Sequence, residues 1–505
     1  MKPARVAIYY PPMRRGGEVP LLPQNRQFKF SKSAEIRIYP VVMSSLATML
    51  KRAGHDVLFL DGINFRLAQS ACDAQLRAFA PDFLVMETKA PVFDRHLALV
   101  RELKSQLACG VILCGDHVCF FPENAVAGGA DYAVSSGDYD FVITELIGHL
   151  REGGGAMPGG VWYGQEDRPV SSGESADYDL DEAPLIDREL TRWDCYGEAY
   201  LHRPTAYIMS GRGCGGANRN TASYESSSPG VCSFCVWQHA FWKCGAKMRA
   251  PGAVAEEVEL LVRRYGVREI FDDNDSGGTW NEKWLEDFYR ELDARKLIGK
   301  FYISSNARAD SLSRERVALL RRLGFRLLKV GLESGNDNTL ELLQKNESIA
   351  QIEEGVRNAK DAGLRVLMTT MVGYPWEEEA DARRTYEVTR GLMLYKTHFG
   401  DSLQSSIITP YPGTPLFRLA EQRGWLTEAA ADYANYDMNH HILKTQIDTV
   451  YWCHKMWAIH LHPLFLLKSL LSVRSIDDLR LGWRGLLSLF GHLRDYERAE
   501  AGKTE

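Results

Sequence analysis

The stretch SGRGCGGANRNTASYESSSPGVCSFCVWQHAFWKCG, from Ser210 to Gly245, holds four of the chain's ten cysteines. Cys214, Cys232 and Cys235 are spaced C-x17-C-x2-C, and Cys244 follows. Two cysteines two residues apart can grip one metal centre, because the turn between them brings both sulfurs to one side. Four thiolates suit either a structural zinc ion or a four-iron cluster. Spacing alone leaves zinc, an iron–sulfur cluster and no metal open. Position adds a distinction: Cys214 directly follows a predicted strand, TAYIMSG (205–211), where catalytic loops sit in repeating strand–helix folds. A cluster held by three cysteines leaves one iron open to a substrate or cofactor.

Such loops need a frame. The chain has 505 residues, enough for two or three domains with sizeable cores. It is 45% hydrophobic and 25% charged, with a net charge of −6, an ordinary globular composition that argues against broad nucleic-acid binding. No run of apolar residues is long enough for a membrane span. The N-terminal MKPARVAIYYPPM has only a short apolar run before two prolines, unlike a signal peptide. Reduced thiols in a cytoplasm are therefore expected. Cys72, Cys109, Cys114, Cys119, Cys195 and Cys453 read as small buried hydrophobes.

Residues 1–150 alternate strand and helix patterns: RVAIYYP, then VVMSSLATMLKRAG, DVLFLD, FLVMET, FDRHLALVRELKSQL, GVILCG and YAVSSG. An open, doubly wound parallel sheet of Rossmann-like type is expected, with ligands beyond its C-terminal strand ends. Residues 151–200 are rich in Gly, Pro, Ser and acid and read as a linker with a small hairpin. A second α/β series spans 201–420, through EIFDDN, FYISSNARAD, LLKVGLESG, RVLMTTMVGYP and SLQSSIITPYP. Six strand–helix units predict a full or partial (β/α) barrel. Residues 421–505 turn mainly helical.

With these motifs in order, the chain resembles the cobalamin-binding radical S-adenosylmethionine (SAM) proteins. That group includes methyltransferases and anaerobic magnesium-protoporphyrin monomethyl ester cyclases. SGRGCGG…VCSFC resembles the cluster loop, with Phe234 as its usual aromatic. KMRAPGAVAEEVELLVRRYGVREIFDDND, RADSL, GLESGNDNTLELLQKN, MVGYPWE and YPGTPLF resemble later strand ends in their expected order. YPVVMSSLATMLKRAGHDVLFLD and CGDHVCFFPENAVAGGADYAVSSGDYD resemble the cobalamin domain. The family loop is C-x3-C-x2-C, so about fourteen polar residues near NRNTASYESSSPGV stand as an insertion. Closing the longer loop costs only on the order of 1 kcal/mol.

The resemblance implies a 4Fe-4S cluster on Cys214, Cys232 and Cys235, with Cys244 as a bystander, fourth ligand or redox-active catalytic thiol. It implies SAM near Phe234, Asp273, Asn306, Arg308 and Glu333, and cobalamin near Gly115, His117, Ser135 and Gly137. Gly373, Tyr374 and Pro375 would shape the rim. The loop after strand one, PPMRRGGEV, lacks the family's cobalt-binding histidine, and His117 reads as an ordered loop residue. The implied activity is radical functionalisation of an unactivated carbon in a small-molecule substrate, by methyl transfer first and by cyclisation or rearrangement second. An electron donor such as flavodoxin or ferredoxin would serve it. A non-catalytic zinc- or corrinoid-binding protein of the same fold is the third reading. The C-terminal HHILKTQIDTVYWCHKMWAIHLHPLFLLKSLL suits a large apolar or planar substrate, or a helical cap over the barrel mouth.

Overall fold

A computed structural model of the chain describes residues 3–15, 18–23, 27–31, 36–153, 156–214, 231–243, 245–275, 282–473 and 475–501. The first sheet is built from β1 (Arg5–Tyr10), β2 (Asp56–Asp61), β3 (Phe83–Glu87), β4 (Gly110–Cys114), β5 (Tyr132–Val134), β6 (Val161–Gln165) and β7 (Arg168–Ser171). Their order is β2-β1-β3-β4-β5-β6-β7. The first five are parallel, and β6 and β7 add an antiparallel hairpin at the edge. The apolar run of β1 is buried from Val6 to Tyr10, as a strand covered on both faces must be. The small hairpin expected within 151–200 is β6 and β7, and it extends this sheet at its edge.

The second sheet comprises β8 (Thr205–Ile208), β9 (Glu269–Asp272), β10 (Tyr302–Ala307), β11 (Phe325–Glu333), β12 (Arg365–Val372) and β13 (Ser402–Ile407). All six are parallel and lie in sequence order. Five fall within segments expected to be strands, and β11 starts two residues ahead of LLKVGLESG (327–335). The connecting helices carry their own stop and start signals. Helix Arg314–Leu323 is capped by Ser313, whose side chain accepts the Arg316 N–H, and ends at a left-handed Gly324. Helix Ile349–Asp361 opens on a capping box of Ser348 and Gln351.

One apolar core lies between the second sheet and these helices. Another joins the two sheets, running from Ile8 and Tyr10 through Tyr39 to Tyr207, Trp237, Phe241 and Tyr411. The C-terminal region is helical, as expected: Thr449–Trp457, Pro463–Leu471 and Ile476–Ala501. The first packs along β13. The other two lie near the start of β12 and β13, beside Leu367 and Ser402. They therefore cover the end of the sheet opposite the cysteine loops. No helix among the described residues is long and apolar enough to cross a membrane.

Candidate functional site

Both ends of the cysteine segment are tied by a short hairpin, Gly211–Gly213 against Ala246–Met248. Gly213 has φ +92°, and a Cβ there would meet Gly245 O at 2.1 Å, so only glycine permits the crossing before Cys214. The Gly213 N–H donates to Asp275 Oδ2 at 2.7 Å. Arg212, between the glycines, sends its guanidinium to Asp138 and Asp140 of the first sheet's last helix, at 2.6, 2.9 and 2.7 Å. The Cys232–Cys235 turn closes with the Cys235 N–H on Cys232 O at 3.0 Å. It is pinned on both sides: the Ser233 N–H donates to Leu343 O, and Ser233 O accepts from the Leu416 N–H.

Cys214, Cys232, Cys235, Phe234, Asn306, Arg308 and Glu333 line one cavity of about 240 Å³. It lies where β10 and β11 end, as the sequence placed it. Asp273 does not line the cavity; it stands behind, 3.3 Å from Asn306 Nδ2, and Asp275 takes its place in the wall. Asn306 Nδ2 also donates to Asn274 O at 2.7 Å. The Arg308 fork holds Asp310 at 3.1 and 2.9 Å and donates to Lys345 O at 3.1 Å. Glu333 sits at the end of β11 in a left-handed conformation, φ +62°, after a register shift against β12. Such a backbone costs about 1–3 kcal/mol for a residue with a side chain and gathers at functional sites.

Besides Asp275, the polar wall residues Lys345, Gln238 and Thr409 are among those sequence reasoning missed. Lys345 Nζ lies 3.6 Å from Glu333 Oε1 and 3.0 Å from Glu347 Oε2, all nearly sealed from solvent. Gln238, on the short helix after Cys235, is buried, and neither atom of its side-chain amide has a partner among the described residues. Thr409 Oγ1 is likewise unpartnered there. Lys345 lies inside the GLESGNDNTLELLQKN segment; for Gln238 and Thr409 the sequence carries no signal, because only the fold turns them inward.

Burial pushes the Cys232 thiol up to about 11, against the pull of Lys345 and Arg308, with Cys214 and Glu333 adding to the rise. Burial raises Cys235 further, with Cys232 the next cause. Thiols in this state are neutral, and a metal centre binding here displaces their protons. No three His, Cys, Asp or Glu side chains among the described residues converge as a single-ion site. The donor set, three cysteines lining a cavity that also holds an unsatisfied amide, an unsatisfied hydroxyl and paired charges, fits a polynuclear iron–sulfur cluster with a polar ligand beside it. Cys244 and the insert, 215–230, lie outside the described residues.

The cobalamin candidates meet protein. Gly115 has φ +119°, and a Cβ there would meet Thr88 O at 2.2 Å. His117 is buried among Phe93, Phe121 and Tyr433, and burial holds its ring neutral, down to about 4. Ser135 Oγ donates to Gly160 O at 3.3 Å. Gly137 is covered by Phe241 and Trp242. None of the four lines the cluster cavity. At the switch point between β1 and β3, where such sheets take ligands, the Tyr10 hydroxyl donates to Glu87 at 2.5 Å.

Residues 229–388, which include Cys232, Cys235 and the other cavity walls from Asn306 to Glu333, match the radical SAM superfamily. The chain is a radical SAM enzyme with methyltransferase-type relatives. It is 25% identical over 393 residues to an uncharacterized methyltransferase of Pyrococcus horikoshii, covering 75% of this chain and 78% of that one. It is 24% identical over 391 residues to the anaerobic magnesium-protoporphyrin IX monomethyl ester cyclase of Rubrivivax gelatinosus, covering 75% of this chain and 66% of that longer protein. The fold is that of the radical SAM methyltransferase TsrM from Kitasatospora setae, solved with cobalamin and a 4Fe-4S cluster bound. The TM-score is 0.65 at 16% identity, over 99% of this chain and 100% of that one.

Proposed function

We propose that this protein binds a 4Fe-4S cluster through Cys214, Cys232 and Cys235, cleaves SAM beside it, and functionalises an unactivated carbon of a small molecule by methyl transfer. The single observation that carries this is the shared cavity: the three cysteines, Phe234, Asn306, Arg308 and Glu333 all face it. When bound, the cluster supplies one low-potential electron that splits the SAM sulfonium, giving methionine and a 5′-deoxyadenosyl radical. Phe234 would flank the adenine. Glu333 would meet the ammonium of SAM, and Arg308 and Lys345 its carboxylate. Asn306 would take a ribose hydroxyl, and Gln238 and Thr409 would offer further hydrogen bonds. The apolar wall from Met371 and Ile408 excludes water from the radical.

The second sheet reads as a partial (β/α)6 barrel, with residues 1–150 as the cobalamin-binding unit and 421–505 as a separate helical unit. The β2-β1-β3-β4-β5 strand order suits a cofactor with a nucleotide tail. Cobalamin as carried by the Kitasatospora relative would sit there. Flavodoxin or ferredoxin would supply the electron.

The cyclase-type reading draws on the Rubrivivax relative, and product analysis separates the two. Anaerobically reconstituted enzyme with SAM, methylcobalamin and a reductant is expected to release both 5′-deoxyadenosine and S-adenosylhomocysteine. 5′-Deoxyadenosine without S-adenosylhomocysteine supports the cyclase reading. Neither product, from enzyme with its full complement of iron, contradicts both.

A further inference from the structure

Fifteen large apolar side chains are exposed among the described residues, and twelve of them fall between Leu461 and Phe490. On helix Ile476–Ala501 they recur as Ile476, Leu479, Trp483, Leu486, Leu487 and Phe490, one stripe at helical spacing. Helix Pro463–Leu471 adds Leu464, Leu467, Leu470 and Leu471, the last two 66% and 77% exposed. The opposite face of the long helix packs inward through Leu481, Ser488, Leu489 and His492, so the exposed apolar stripe is additional to the face that holds the helix in place. Such a stripe exceeds what a protein surrounded by water alone needs.

Two independent observations say what covers it. First, a cavity of about 290 Å³ opens between these two helices, and Leu466 and Leu486 belong both to its wall and to the exposed face. Inside, it is walled by Leu367, Leu403 and Trp457, and it shares Gln27, Lys329 and Gln404 with the cluster cavity. The two cavities thus adjoin, and the three residues between them are polar. Second, a basin at the start of the long helix is lined by Arg203, Arg268, Arg480 and Arg484; Asp477, its one acidic residue, pairs with Arg268 and Arg480, which leaves the basin a net positive charge. Ile476, Leu479 and Trp483 edge the same basin. Guanidinium groups bordered by tryptophan and leucine are what an interfacial helix presents to phosphate headgroups.

We infer that the C-terminal helices dock on the surface of an anionic phospholipid bilayer, and that the enzyme draws an apolar, membrane-resident substrate through the cavity between them. The substrate class rests on the radical SAM reading above; the docking does not. The helices lie on the surface and do not span it.

The test is flotation of the full chain with phosphatidylcholine vesicles, with and without phosphatidylglycerol. The protein is expected to rise with the anionic vesicles, less so at high salt. Leu470→Glu/Leu471→Glu, at two exposed positions that line neither cavity, is expected to lower partitioning about tenfold or more, with melting temperature and iron loading unchanged. Arg480→Gln is expected to weaken binding to phosphatidylglycerol vesicles more than to pure phosphatidylcholine. The inference is overturned if the parent stays unbound with anionic vesicles, or if the double variant floats equally. It is also overturned if light scattering shows a dimer that the double variant splits, since a second copy would then cover the face. Flotation needs no cluster and iron loading needs no lipid, so failure of one reading leaves the other standing.

Discussion

Removing Arg212 should unfasten the cysteine loop from the first sheet. Its side chain is 6% exposed and grips Asp140 with both terminal nitrogens, at 2.9 and 2.7 Å, while one of them also reaches Asp138 at 2.6 Å. The two carboxylates differ in what remains after Arg212→Met. Asp138 keeps Lys247 at 2.7 Å. Asp140, fully buried, has no other ion pair among the described residues. One stranded buried carboxylate costs about 3–5 kcal/mol, against about 1.5–3 kcal/mol for a single charged hydrogen bond lost in Arg212→Lys. The double variant Arg212→Met/Asp140→Asn leaves no stranded charge and should recover most of the loss. Urea unfolding followed by fluorescence gives the stability, and iron content after reconstitution reports the loop, because Gly211–Gly213 holds Cys214 in place. The reasoning fails if Arg212→Met lies within about 1 kcal/mol of the parent, or if Asp140→Asn restores nothing.

Three further outcomes are expected. Burial pushes Glu377 up to about 7, opposed by the N–H groups of Gly373 and Tyr374, so the fold prefers it protonated. That preference is fully present below about pH 4.5 and is lost as pH rises through 7; Glu377→Gln should therefore gain about 3 kcal/mol on the parent between pH 4 and 8, and a pH-independent difference in unfolding midpoint would refute it. In Gly355→Ala, the new Cβ would meet Ala309 O at 2.1 Å, so helix Ile349–Asp361 must back away from the turn after Arg308; calorimetry should show a loss of about 1–3 kcal/mol together with weaker SAM binding. Arg326 clamps the buried Glu269 through two nitrogens at 2.9 and 2.7 Å; Arg326→Leu should cost about 3–5 kcal/mol in chemical denaturation, and Arg326→Leu/Glu269→Gln much less.

The parts of the site that follow local periodicity were legible beforehand. The six strands of the second sheet, the C-x2-C turn, and Asn306, Arg308 and Glu333 at strand ends could be placed because strand–helix repeats put functional groups at one edge. What could not be read is what distance in the chain hides. Arg212 meets partners 72 and 74 residues away. Lys345 was visible as part of a motif, but its place between Glu333 and Glu347 depends on how β11 ends. Asp273 and Asp275 are two residues apart, and only the backbone decides which faces the cavity. A small hairpin was expected within 151–200, but not that Val161–Ser171 would join the edge of the first sheet, because an edge strand needs no long apolar run. The C-terminal leucines read as a cap or an apolar substrate wall; sequence could not say that some point outward.

The central claim is that Cys214, Cys232 and Cys235 hold a redox cluster. Metal and sulfide analysis of the anaerobically reconstituted chain, with Cys232→Ala beside it, tests it most directly. About four irons and four sulfides per parent chain are expected, and little of either in the variant. One zinc per chain, or iron content unchanged by Cys232→Ala, would contradict it.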